Sequence, residues 1–166
     1  MSEFLAPDRP YDWVGALSER RASLTPDRTA LVDRTTGERY TYAEVDARAN
    51  RAARLLDAHD VGAGDRVAVL SRNRPALVDC YFACGKVGAV LAPLSHRLPA
   101  DELVQMLNDV DPELLLVEAP FDDVAAAVLA HDERSFETAA LSLATGGDGG
   151  GDPAWRRYRD ALPDDG

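Results

Sequence analysis

Apolar residues recur along this chain at two alternating spacings, and the alternation predicts an ordered series of strands and helices. The segment from Tyr11 to Arg21, with Trp13, Val14, Leu17 and nearby Leu24, predicts a short amphipathic helix. Thr29-Ala30-Leu31-Val32-Asp33 is a compact apolar run that meets a turn signal, Thr35-Thr36-Gly37-Glu38. Arg39-Tyr40-Thr41 then returns as a second strand, which makes a hairpin. Thr41 and Glu44 have the spacing of a capping box, and Val45, Ala49, Ala52, Ala53 and Leu56 continue from it at helical period. The glycines of Val61-Gly62-Ala63-Gly64-Asp65 stop that helix. Arg66-Val67-Ala68-Val69-Leu70 follows, a run suited to a buried parallel strand. Pro75 suits a first helical turn, and the segment to Val87 is apolar nearly all round, as in a helix buried on most sides. Gly88 to Pro93 reads as a second inner strand, Pro99 opens a helix through Leu103, Leu107 and Val110, and Leu114 to Val117 is a further strand. Phe121 to Ala130 predicts a helix and Thr138 to Leu143 a weaker strand.

Strands alternating with helices of about 10–15 residues imply βαβ units, hence an α/β fold built on a parallel sheet. Composition changes at Ala144, where Thr145-Gly146-Gly147-Asp148-Gly149-Gly150-Gly151-Asp152 has the character of a flexible linker. The chain therefore divides into a subdomain over residues 1–144 and a Gly/Asp-rich linker with a short tail over 145–166. In that tail Asp152 and Pro153 suit the start of a helical turn or two, with Trp155, Tyr158 and Leu162 on one side.

The 166 residues suffice for one globular core, and a hydrophobic share of 46% argues against disorder. No run of about 18 apolar residues appears, and Met1 to Asp8 lacks the basic-then-apolar pattern of a secretory signal. A cytoplasmic chain is expected. Charge changes the picture more: 29 acidic residues oppose 18 Lys and Arg, for a formal net charge of −11, and Lys86 is the only lysine. Such acidity serves a cationic partner, a metal-binding surface or solubility in high salt. The acids are spread along the sequence, which favours solubility and a halophilic source. No basic face is present for phosphate backbones, so nucleic acid is not an expected partner. Cys80 and Cys84 lie four apart on one predicted helix with no His or third Cys nearby, a pattern of buried structural thiols rather than a zinc site.

Local motifs name no reaction. Gly62-Ala63-Gly64-Asp65 precedes a strand, whereas a dinucleotide fingerprint follows one, so it is a turn. The glycine run at 146–151 has no lysine and carries Asp148 and Asp152 where phosphate oxygens would lie. His59, His96 and His131 lack ligand spacing, and His59 and His131 read as helix-end residues. Asn73 and Arg74 lie where ligands meet α/β sheets, although Asn73 equally suits a helix cap. Lys86 reads as structural.

The order of features is more informative. Pro26-Asp27-Arg28-Thr29-Ala30-Leu31-Val32 precedes Tyr40-Thr41-Tyr42-Ala43-Glu44-Val45, then Val61 to Val69, then Asn73-Arg74-Pro75. Gly85-Lys86-Val87-Gly88-Ala89-Val90-Leu91-Ala92-Pro93-Leu94 and Arg97-Leu98-Pro99-Ala100-Asp101-Glu102-Leu103 complete the series. From about residue 11 to about residue 120 this succession resembles the first third of the AMP-forming acyl-CoA synthetases, the adenylate-forming ligases.

The resemblance implies an incomplete α/β N-terminal subdomain of that ligase fold. Complete members activate a carboxylic acid with ATP to an acyl-adenylate, release pyrophosphate and pass the acyl group to the thiol of CoA, with Mg2+ and lysines stabilising charge on phosphorus. The family's phosphate loop, its magnesium-holding Glu, its ribose-binding Asp and its catalytic lysine have no counterparts in these 166 residues. No catalytic or metal residue is therefore assigned, no cofactor is expected to stay bound to this fragment, and the chain alone is expected to be catalytically incompetent. Arg97 is the one position carried over: in several relatives the arginine after the second core motif approaches the phosphates of CoA. Ser95-His96 stands where the family often has Asn-Pro. The alternative for Arg97 is an ion pair with Asp101 or Glu102. Expected partners are the ligase remainder, or a second copy meeting the uncovered sheet. The competing function is a non-enzymatic module completed by a partner chain, or a degraded gene product.

Overall fold

The structure, a computed structural model, describes residues 13–143 together with a two-residue strand at 156–157. The linker at 145–151 lies outside the described residues. The chain folds as two compact units interleaved in sequence: 13–64 with 74–90, and 65–73 with 91–143 and 156–157.

The first unit is three helices and a hairpin. α1 (Val14–Leu24), α2 (Tyr42–Asp57) and α3 (Pro75–Val87) pack on one another, and β1 (Thr29–Val32) pairs antiparallel with β2 (Arg39–Thr41) against α2. The hairpin turn closes as its residues dictate: Gly37 adopts φ 78°, its N–H donates to the Asp33 carbonyl at 2.8 Å, and the Asp33 carboxylate accepts from Thr35 N–H at 2.8 Å. Both arms of the capping box form, Glu44 N–H to Thr41 Oγ1 at 3.2 Å and Thr41 N–H to Glu44 Oε2 at 2.7 Å. Along α2 the buried residues are Val45, Ala49, Ala52, Leu55 and Leu56, one stripe at helical period.

α1 departs from the expectation of a leucine-faced helix. Its buried residues are Gly15 and Ser18, while Leu17 and Leu24 remain 39% and 60% exposed. The reason is close approach of backbones. A Cβ on Gly15 would lie 2.4 Å from the Gly85 carbonyl oxygen on α3, so only a glycine fits where the helices meet. Beside this contact the three helices share one polar centre. Asp46 Oδ1 on α2 accepts from Ser18 Oγ on α1 at 2.7 Å and from Lys86 Nζ on α3 at 3.0 Å, and Asn50 Nδ2 donates to Oδ2 at 3.1 Å. α3 ends on Gly88 at φ 81°, a left-handed cap, whose carbonyl accepts from Gly64 N–H at 3.0 Å.

The second unit is a five-stranded sheet in the order β4-β3-β5-β6-β7. Its strands are β3 (Arg66–Leu70), β4 (Val90–Leu94, of which 91–94 belong to this unit), β5 (Leu114–Val117), β6 (Ala139–Ser142) and β7 (Arg156–Arg157). The pairings β3–β5, β5–β6 and β6–β7 are parallel, as the βαβ rhythm predicts. β7 replaces the helical turn expected in that stretch. Parallel pairing beside β6 satisfies backbone groups that a lone helical turn of two residues leaves open. α4 (Ala100–Val110) and α5 (Asp122–Leu129), the latter entered through a 3-10 turn at Ala119–Phe121, pack together, and α4 lies on β3. Ala68 and Leu70, with Leu115 and Val117, share one sheet face by the strand period of two, and with Leu103, Val104, Leu107, Ala125, Val128 and Phe136 they form the core. β4, an edge strand, carries Pro93, which has no N–H to offer a further strand.

The acidity that looks uniform in sequence is uneven in space. Among the described residues the first unit has ten Lys and Arg against nine Asp and Glu, whereas the second has six against twelve. Mutual repulsion therefore falls on the second unit, and salt screens it over about 10 Å at 0.1 M and 3 Å at 1 M. Raising KCl from 0.1 to 2 M is expected to increase the thermal midpoint by several degrees, read by circular dichroism; a midpoint that falls would contradict this. Among the described residues no helix is long and apolar enough to cross a membrane.

Candidate functional site

In an open parallel sheet, ligands collect outside the carboxyl ends of the strands where the strand order reverses. Here the chain steps outward from β3 to β4, then returns past β3 to form β5. The reversal lies between β3 and β5, and the loops leaving β3, β4 and β5 all belong to the second unit.

The ends of β3 and β5 are tied by a buried acid. Glu118, 4% exposed, directly follows β5, and its Oε2 accepts from Arg72 N–H at 2.8 Å and from Ser71 Oγ at 3.2 Å. Arg72 Nη2 donates to Oε1 at 2.7 Å. The arginine head is more than half exposed, so the ion pair itself adds little to stability. What it does is tie the edge: both carboxylate oxygens of Glu118 accept hydrogen bonds from the end of β3. Glu118 and Arg72 are not among the residues that the sequence pattern singles out. The available signal was an acid placed immediately after the all-apolar run Leu114 to Val117, at a predicted carboxyl end.

The neighbouring loop, after β4, carries Arg97. Leu98 N–H donates to the Ser95 carbonyl at 3.2 Å, which closes a turn, and Arg97 N–H faces Ser95 Oγ at 3.5 Å. The His96 ring lies against Phe121, with centroids 5.3 Å apart and planes inclined by 34°. Ser95-His96 thus makes an ordered turn where the family often has Asn-Pro. Arg97 is exposed, and among the described residues its guanidinium has no ion pair. The alternative pairing with Asp101 or Glu102 does not form. Asp101 Oδ1 faces His131 Nε2 instead, at 3.3 Å, and His131 Nδ1 accepts from Glu133 N–H at 3.2 Å, an arrangement that places the ring proton on Nε2.

The other residues singled out in the sequence serve elsewhere. Asn73 does not cap α3; the cap position falls to Arg74, without a side-chain hydrogen bond. Pro75 explains the shift, because a residue before proline is driven to the extended region and Arg74 has ψ 164°. Lys86 is held by Asp46. Cys80 and Cys84 are buried and form no disulfide among the described residues, and burial pushes the Cys84 thiol up to about 12, so Cys84 is not a nucleophile at neutral pH. His59 and His131 follow the ends of α2 and α5, half-buried.

Comparison with known proteins matches residues 18–162 to the family model described as AMP-binding enzyme. A feruloyl-CoA synthase of Amycolatopsis is 40% identical over 117 residues, which are 70% of this chain and 23% of that protein. The long-chain-fatty-acid–CoA ligase FadD13 of Mycobacterium tuberculosis is 35% identical over 118 residues, 71% of this chain and 24% of that one. A solved structure of a Mycobacterium tuberculosis fatty acyl CoA synthetase superposes with a TM-score of 0.76 at 31% identity, covering 81% of this chain and 27% of that one. The chain spans about a quarter of the length of the curated relatives it matches.

Proposed function

This chain belongs to the AMP-binding enzyme family, and from that premise we propose that it supplies the N-terminal scaffold of an ATP-dependent acyl-CoA ligase. The observation that carries the reading is the alignment of about 70% of the chain with such ligases, at up to 40% identity. In the complete enzyme a carboxylate oxygen attacks the α-phosphorus of ATP, pyrophosphate leaves, and the CoA thiol then displaces AMP from the acyl-adenylate.

The part assigned to these residues is positional. The tied ends of β3 and β5 form a rigid edge at the sheet reversal, and beside it Arg97 offers a planar fork of donors suited to a phosphate of CoA. Its support is electrostatic: over residues 65–73 and 91–143, with twelve acids and four cations, Arg66 and Arg72 are taken by carboxylates and Arg134 lies over the Phe136 ring, while Arg97 has neither. ATP and Mg2+ are held by segments outside these residues, and the partner of this scaffold is the rest of a ligase. A cytoplasmic, halophilic setting accords with the acid excess.

The 166 residues alone are expected to give no ATP–pyrophosphate exchange with any of a panel of fatty and aryl acids. Exchange above the no-enzyme background by the purified chain would sink the scaffold reading.

A further inference from the structure

Arg97 sits between two anchored neighbours. On one side Leu98 packs against the core of the second unit; on the other His96 lies on Phe121, which packs against that same core. The turn's closing bond, at 3.2 Å, is at the long end of the ordinary range, and the 3.5 Å approach of Arg97 N–H to Ser95 Oγ lies beyond it. The ring contact gives the residue before Arg97 a further hold. The two loops leave the carboxyl ends of β4 and β5, and the ring stack bridges them.

We propose that His96 is a positioning residue, which by stacking on Phe121 pre-orients Arg97 for a phosphate group of CoA. The proposal rests on the reading of Arg97 as a phosphate contact. A guanidinium whose backbone is already ordered loses less conformational freedom on meeting its anion, so the stack contributes to affinity without touching the ligand. The imidazole nitrogens play no part in this role; the ring face does. Phenylalanine at position 96 should therefore serve, and alanine should not.

The test is an NMR titration of the full chain with CoA and with pantetheine, which shares the thiol arm and has no phosphate. Binding through one contact is expected to be millimolar or weaker, within reach of shift changes at the Arg97 amide and Nε. Wild type should respond to CoA and not to pantetheine, and Arg97→Ala should remove the difference. His96→Ala is expected to weaken the CoA response about threefold to tenfold, the effect of one aromatic pair, and to lower the order parameters of residues 96–98 in the free chain. His96→Phe should restore both. Phe121→Ala should match His96→Ala, and the double variant should add nothing further. If CoA moves Arg97 in wild type yet His96→Ala leaves response and order unchanged, the positioning role is wrong and the phosphate contact stands. Failure of His96→Phe to restore them likewise overturns the stacking account. No CoA-specific response in wild type removes the phosphate contact and this proposal with it.

Discussion

Replacing Gly15 by alanine is expected to destabilise the first unit by about 2–3 kcal/mol, the upper part of the range for overpacking a core. The added Cβ would meet Gly85 O at 2.4 Å, Gly85 C at 2.6 Å and Trp13 Nε1 at 2.7 Å. Two of these are backbone atoms of another helix, which have no rotamer to escape into. Alanine gains about 1 kcal/mol over glycine in helix propensity, and that gain is too small to offset the clash. Gly85→Ala is expected to cost less. Its nearest neighbour, at 2.8 Å, is the Val14 Cγ1 methyl, which can yield, and its nearest backbone atom is Gly15 N at 2.9 Å, a milder approach than the 2.4 Å and 2.6 Å met at Gly15. Urea unfolding followed by circular dichroism ranks the two variants. Equal stability of Gly15→Ala and wild type would mean that α1 does not meet α3 at this point.

Arg48→Met carries the second large effect, a loss of about 3 kcal/mol at pH 7. Arg48 on α2 grips Asp79 on α3 through two bonds, Nε to Oδ1 at 3.0 Å and Nη2 to Oδ2 at 2.6 Å, and its guanidinium lies 4.8 Å over the Tyr40 ring. Asp79 is 3% exposed. Burial raises its carboxyl above the usual aspartate range even with Arg48 beside it, so the folded state holds this proton more tightly than the unfolded chain does. The contribution of Asp79 is thus most favourable in acid and is lost as pH rises through the folded value. Removing Arg48 takes away the attraction that opposes burial and pushes the carboxyl higher still. The deficit of Arg48→Met should therefore be larger at pH 7 than at pH 4, measured as the difference from wild type in urea at each pH. Arg48→Met combined with Asp79→Leu should recover most of the loss, since no buried charge then lacks a partner. A deficit independent of pH, or a double variant no better than the single, would show that the pair does not couple the two helices.

These two sites differ from the rest of the fold in how they could be read. Strands and helices were legible because each depends on residues a few positions apart. The Thr41–Glu44 box, the apolar runs of β3 and β5, the turn at Gly37 and the stripe of α2 are all local patterns. Asp79 was read as part of an apolar helix, since nothing within α3 indicates that its carboxylate meets an arginine 31 positions earlier. Glu118 reaches back 46 residues to Arg72. Leu17 and Leu24 marked the wrong face of α1, because helical spacing reports which residues are apolar and cannot report a glycine contact with another helix.

By itself the sequence determined the order and type of the main elements up to residue 143, the parallel sheet and, through its series of motifs, the family. Those properties follow from short-range periodicity, capping and turn chemistry, which act whatever the rest of the chain does. Only the tertiary structure decided that the strand order reverses between β3 and β5, that Glu118 ties their ends, and that the acid excess falls on one unit. It also decided that Arg97 stands unpaired beside the His96–Phe121 stack. Each of these joins residues far apart in the chain, and such contacts are set by how the elements pack, which no local pattern encodes.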